Sequence, residues 1–184
     1  MDKVTYSEKA IEILEAAERH MRAGGYDAVS FRDLAAEVGI KSSSVHYHFP
    51  QKTDLGVAVV HRYREKVLTA LGGPDDSSET AHDRMVRLCQ VYRTALEQDG
   101  LNCLCCVLGA EARDLPDTVA AAVDRFFSSI LDWIDTALTG TAGNRQTGTQ
   151  ILAGLQGAMI LSMATGKTAP FDETVAGILD GFAP

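Results

Sequence analysis

The side chains best suited to chemistry fall in two short runs of a 184-residue chain. The first is Lys41-Ser42-Ser43-Ser44-Val45-His46-Tyr47-His48, with Lys52 just beyond it. Hydroxyls, imidazoles, a phenol and two lysines at this density can read base edges and neutralise phosphates. The second is Cys103-Leu104-Cys105-Cys106, with Cys89 upstream. Three readings stand for the second run. The thiols act as small buried hydrophobes; or Cys103, near a helix start, is a reactive sensor thiol; or Cys103 and Cys106, with or without Cys89, bind a soft metal. No second C-x-x-C pair accompanies them, so structural zinc is not expected. Four cysteines this closely bunched are also no disulfide framework.

The elements that must carry these residues are helices. Ala10, Ile13, Leu14, Ala17 and Met21 recur at spacings of three and four, which makes one apolar stripe. Gly24-Gly25 ends that helix. Ser30 reads as the N-cap of a second, with Asp33 at the capping-box position and Leu34, Ala35 and Val38 facing inward. Gly39 ends it. A third runs from about Ser42 to Phe49, buries Val45 and Phe49, and stops at Pro50. A fourth covers about 52–71, with Leu55, Val59, Tyr63 and Leu68 on its stripe. GGPDDSS at 72–78 is a clear breaker. Further helices are expected at about 79–98, 101–113, 116–138, 145–165 and 171–181, punctuated by Gly100, Pro116, GTAGN at 140–144 and Gly166 to Pro170. No useful strand alternation appears. The expected fold is all-α, with about nine helices.

A net charge of −8 argues against nucleic acid, but the charge is unevenly placed. Residues 1–70 hold ten Lys/Arg and ten Asp/Glu, so they net zero; seven bases and fifteen acids follow and carry the whole excess. Between 41 and 66, Lys41, Lys52, Arg62, Arg64 and Lys66 outnumber Asp54 and Glu65. A local basic face is what phosphate binding requires. The first twenty residues carry acids and lack an apolar signal core, and no long apolar run follows, so a cytoplasmic protein without membrane attachment is expected.

The run AEVGIKSSSVHYHFPQKTDL closely resembles the signature of TetR-family (tetracycline-repressor-like) transcriptional regulators. It is matched at Ala35, Gly39, Ile40, Val45, His48, Phe49, Lys52 and Leu55. It departs at His46, where the family usually has tyrosine; Tyr47 stands one step along. The resemblance implies an N-terminal helix-turn-helix domain (1–52) and a helical effector-binding and dimerisation domain (53–184), joined through the fourth helix. It implies a homodimer on a palindromic operator, using the last two helices, and usually repression, with no cofactor. By position, Lys41, Ser42, Ser43 and His46 face bases, while Ser30, Ser44, Tyr47, His48 and Lys52 hold phosphates.

In the second half, GTQILAGLQGAMILSM at 148–163 mixes glycines with large apolar residues and suits a helix–helix interface. The apolar helix at 119–134 is mostly core, though Phe127 or Trp133 could line an effector pocket between helices. With Cys103 and Cys106 they are the effector or sensor candidates. The expected function is a repressor released from its operator by a small-molecule or thiol-reactive effector; an activator or a cysteine-based redox sensor is the alternative. An enzyme is disfavoured, because no nucleophile–base set, Gly-rich phosphate loop or HExxH is found, and His20 and His82 lack evident partners. A helical adaptor would leave the chemistry of Ser42 to Lys52 unexplained.

Overall fold

Nine α-helices are present among the described residues, 6–140 and 146–182 of the computed structural model. The first three build a small unit. Helix α1 (Glu8–Gly24) starts where the Ser7 hydroxyl accepts the Ala10 N–H at 3.3 Å, and its apolar stripe is buried from Ala10 to Met21. A short 3-10 turn, Tyr26–Ala28, leads to α2 (Phe31–Val38). Gly39 takes a left-handed φ of 71°, and the chain reverses so that the Ile40 N–H donates to the Ala35 carbonyl at 2.9 Å. Helix α3 (Ser42–His48) then crosses α2, anchored by buried Val45 and by Phe49. It stops one residue before Phe49, which is extended because the following Pro50 excludes the helical region there.

The capping box expected at Ser30 and Asp33 does not form. Ser30 is the N-cap of α2 but makes no side-chain cap bond, and Asp33 lies beside Arg32 at 3.7 Å. A reciprocal box is found two helices later, where Gln51 and Asp54 close the start of α4 (Lys52–Leu71). Helix α4 packs against both α1 and α7, so it belongs to both halves of the molecule. A further box, Thr80 with Asp83, opens α5 (Ala81–Asp99).

Helix α6 (Leu104–Ala110) is much shorter than the expected 101–113. The Arg22 guanidinium of α1 takes the Leu101 carbonyl at 3.0 Å and the Asn102 carbonyl at 2.8 Å, which holds those residues out of the helix. Cys103 is therefore its non-helical N-cap (φ −54°, ψ 129°) and not a member of a helical Cys103–Cys106 face. Helices α7 (Asp117–Ala137), α8 (Gly148–Thr165) and α9 (Ala169–Asp180) complete the chain. Most of the GTAGN loop lies outside the described residues. The core of this second half is held by fully buried Met85, Leu88, Leu104, Leu108, Phe126 and Phe171. Helices α8 and α9 pack together, and α8 leaves Ile160, Leu161 and Met163 exposed. No helix among the described residues is long and apolar enough to cross a membrane.

Candidate nucleic-acid interface

Helix α3 buries one apolar side and turns its polar side outward. Ser43, Ser44, Tyr47 and His48 line a shallow cleft of about 310 Å³ together with Ile40 and Lys9. Tyr47 is 83% exposed, an aromatic ring with no part in the core, set edge-on to His48 at 5.3 Å. Lys41 is exposed at the helix start and Ser42 is half-buried. An exposed face of hydroxyls, imidazole, phenol and ammonium is what a duplex groove with its flanking phosphates can accept.

His46 is exposed but not projecting freely. Its ring meets Phe31 of α2 edge-on at 4.7 Å, and its Nδ1 lies 3.4 Å from the Pro50 carbonyl oxygen. Ser30 and Lys52 sit at the starts of α2 and α4, outside the α3 cleft. The Lys52 ammonium donates to Asp27 Oδ1 at 3.1 Å and stands 4.5 Å from the centre of the Tyr26 ring.

Two features differ from the sequence expectation. The basic run from 41 to 66 is not one face. Arg62 pairs with Glu15 at 2.6 Å, Lys66 with Glu18 at 3.2 Å, and Arg64 with Glu65 at 2.8 Å. The pairs at Arg62 and Lys66 join α4 to α1, so much of that charge is spent on packing the two helices together. In the other direction, Lys9 of α1 reaches the α3 cleft, where its Glu12 partner at 2.7 Å is an exposed neighbour on the same helix. Lys9 lies off the apolar stripe of α1. Only the packing of α1 on α3 reveals its place.

The effector candidates are distributed through the second half. Cys89, Cys103 and Cys105 are buried, and Cys106 is half-buried. Burial pushes the Cys89 and Cys106 thiols up to about 11, and the Cys105 thiol well above its ordinary value. Among the described residues no three His, Cys, Asp or Glu side chains are grouped to hold a metal, so the soft-metal reading of Cys89, Cys103 and Cys106 finds no site. Trp133 is a fastening: its Nε1–H donates to the Gly72 carbonyl at 2.8 Å, and Arg87 lies over its ring at 5.7 Å. Phe127 is half-buried against Phe126 and the Gly109 backbone of α6.

Sequence reasoning missed a buried polar group beside the cysteines. Tyr92 of α5 and Gln156 of α8 are buried, and neither the Tyr92 hydroxyl nor either amide atom of Gln156 has a hydrogen-bond partner. Gln156 is near enough to favour the ionised Tyr92 slightly, yet no bond of normal geometry joins them. Burial raises both the Tyr92 and Tyr63 phenols well above their usual range, and Cys103 adds to each.

Residues 13–59 match the family model described as bacterial regulatory proteins, tetR family. No curated protein matches the chain by sequence. Solved structures match it along nearly its whole length. A TetR transcriptional regulator from Legionella pneumophila is 27% identical, with all of both chains covered and a TM-score of 0.85. A TetR-family regulator from Agrobacterium tumefaciens is also 27% identical, covering 94% of this chain and 96% of that one, with a TM-score of 0.86. A putative transcriptional regulator from Saccharomonospora viridis, solved in complex with choline, shares the fold at 24% identity and a TM-score of 0.71, covering 95% of each chain. The helix-turn-helix stretch thus matches the tetR family model, and the full length is similar to TetR transcriptional regulators of known structure.

Proposed function

We propose that the protein is a homodimeric repressor that leaves a palindromic operator when a small molecule enters the helical bundle between α5, α6 and α8. The observation that carries the DNA half is the exposed polar cleft of α3, lined by Ser43, Ser44, Tyr47 and His48 with Lys9 alongside. On this reading Lys41, Ser42 and Ser43 meet base edges, with His46 held near them by Phe31. Ser30, Ser44, Tyr47, His48 and Lys52 hold the backbone. The boundary between the two functional halves falls in the first turn of α4, after residue 52. The dimer forms through α8 and α9, where Ile160, Leu161 and Met163 are exposed beside Gly157, which has open space around it.

The buried, unpaired Tyr92 hydroxyl and Gln156 amide support a small-molecule effector. Each such group left unsatisfied costs about 1–3 kcal/mol, which a ligand offering a donor and an acceptor would recover. The fold neighbour that holds choline is a precedent for a small ligand in this fold only. A thiol-reactive effector is the weaker reading, because Cys89 and Cys106 are pushed to about 11 and ionise poorly at neutral pH. In the mechanism, the ligand favours a dimer whose two α3 helices no longer match successive major grooves, about 34 Å apart on B-DNA.

The test is a mobility shift with a duplex selected from random sequence by the wild-type protein. Binding should weaken steeply with salt and fall on the order of tenfold or more in Tyr47→Ala, whose ring has no core role. Wild-type affinity in Tyr47→Ala and in Ser43→Ala together would sink the assignment of α3 as the reader. Release of that duplex by a thiol oxidant but by no neutral polar small molecule would reverse the order of the two effector readings.

A further inference from the structure

Helix α6 is fastened at both ends to the DNA-binding unit, and the fastening runs on to Lys52. At its front, Arg22 of α1 donates to the Leu101 and Asn102 carbonyls at 3.0 and 2.8 Å. At its back, the Glu111 carboxylate accepts the Tyr26 N–H at 3.0 Å. The carboxylate lies directly on the Gly25 backbone: a Cβ there would be 1.9 Å from Glu111 Oε1. The Tyr26 ring rests on α4 at Gly56, where a Cβ would be 2.9 Å from ring Cε2. The same ring carries a cation: the Lys52 ammonium stands 4.5 Å from its centre and pairs with Asp27 next door at 3.1 Å. One turn of three residues thus touches both the end of α6 and the first lysine of α4.

We propose that Glu111 is a positioning residue for operator binding: by holding Tyr26 it sets where the Lys52 ammonium stands at the start of α4. The geometry makes α6 a lever on that lysine. A shift of α6 that pulls Glu111 from Tyr26 frees the 3-10 turn, and the cation loses both its ring platform and its Asp27 partner's placement. This route does not pass through the ion pairs of α1 with α4, which Glu15, Glu18, Arg62 and Lys66 form on another part of α1. The inference rests on the reading of Lys52 as a phosphate contact, and the experiment separates the two.

The test measures affinity for the selected duplex against salt for full-length wild type, Lys52→Ala, Glu111→Ala and the double variant. Lys52→Ala should weaken binding and make the salt slope shallower by about 1 per protomer. Glu111→Ala should weaken binding roughly three- to tenfold and flatten the slope in the same sense. In the Lys52→Ala background it should add nothing. Glu111→Gln, which keeps an oxygen to accept the Tyr26 N–H, should restore binding. If Glu111→Ala does not fold, Glu111→Asp serves, because it is one methylene short of Tyr26 and should lose affinity in the same way. Wild-type behaviour of Lys52→Ala overturns the phosphate reading and the relay with it. A weakened Lys52→Ala with an unchanged Glu111 variant, or an equal loss in both backgrounds, overturns the relay alone.

Discussion

A thiol is useful as a sensor only when a fraction of it is ionised, and the three cysteines with raised values are held in the protonated form. Burial is the first cause at Cys89, Cys105 and Cys106, because it penalises the charged thiolate. At about 11, Cys106 is ionised to roughly one part in ten thousand at pH 7, and the fraction rises about tenfold with each pH unit. Labelling by iodoacetamide should therefore be slow at pH 7 and accelerate steadily toward pH 10, with half-buried Cys106 ahead of buried Cys89 and Cys105. Stoichiometric labelling of these three at pH 7, at the rate of free cysteine, would contradict this account. At this scale the sequence was legible where a residue's role is local. Val45 is buried and Tyr47 is exposed, as helical spacing requires, and Phe49 is buried just past the helix end. It was not legible where a role depends on distant chain. Lys9 joins the α3 cleft, and Arg62 and Lys66 turn to α1, only because three helices pack as they do.

Among the elements, the helix starts and stops carry information that periodicity lacks. The nine helices follow from apolar spacing and breakers, and the TetR-like motif supplies the order of the first four. The late start of α6 does not follow, because Arg22, about eighty residues upstream, draws off the Leu101 and Asn102 carbonyls. The two turns that flank α2 make a graded comparison. Gly39 has a φ of 71° with open space around it, so Gly39→Ala should cost only the left-handed strain, about 1 kcal/mol. Gly25 has a φ of 80° and Glu111 pressed on its α-carbon, so Gly25→Ala should cost more, about 2–3 kcal/mol. Urea unfolding of the two variants compares them directly; equal losses would mean that the Glu111 side chain moves aside freely.

In the whole molecule, the exposed Ile160, Leu161 and Met163 give α8 an apolar face that suits the proposed dimer. Leu161→Glu places a charge in that face and should yield a monomer by light scattering. Loss of the second reading head should lower affinity for a palindromic duplex on the order of a hundredfold, with the change in half-site binding much smaller. A dimer that survives Leu161→Glu and Ile160→Glu would move the interface elsewhere. The uneven charge has its own consequence at this scale. A half that nets zero and a half that nets −8 make each protomer an electric dipole. Near a duplex that dipole turns the acidic bundle outward before any groove contact is made. The acid excess therefore works as an orientation filter on encounters, discarding tail-first approaches, and its reach shrinks to about 8 Å at physiological ionic strength.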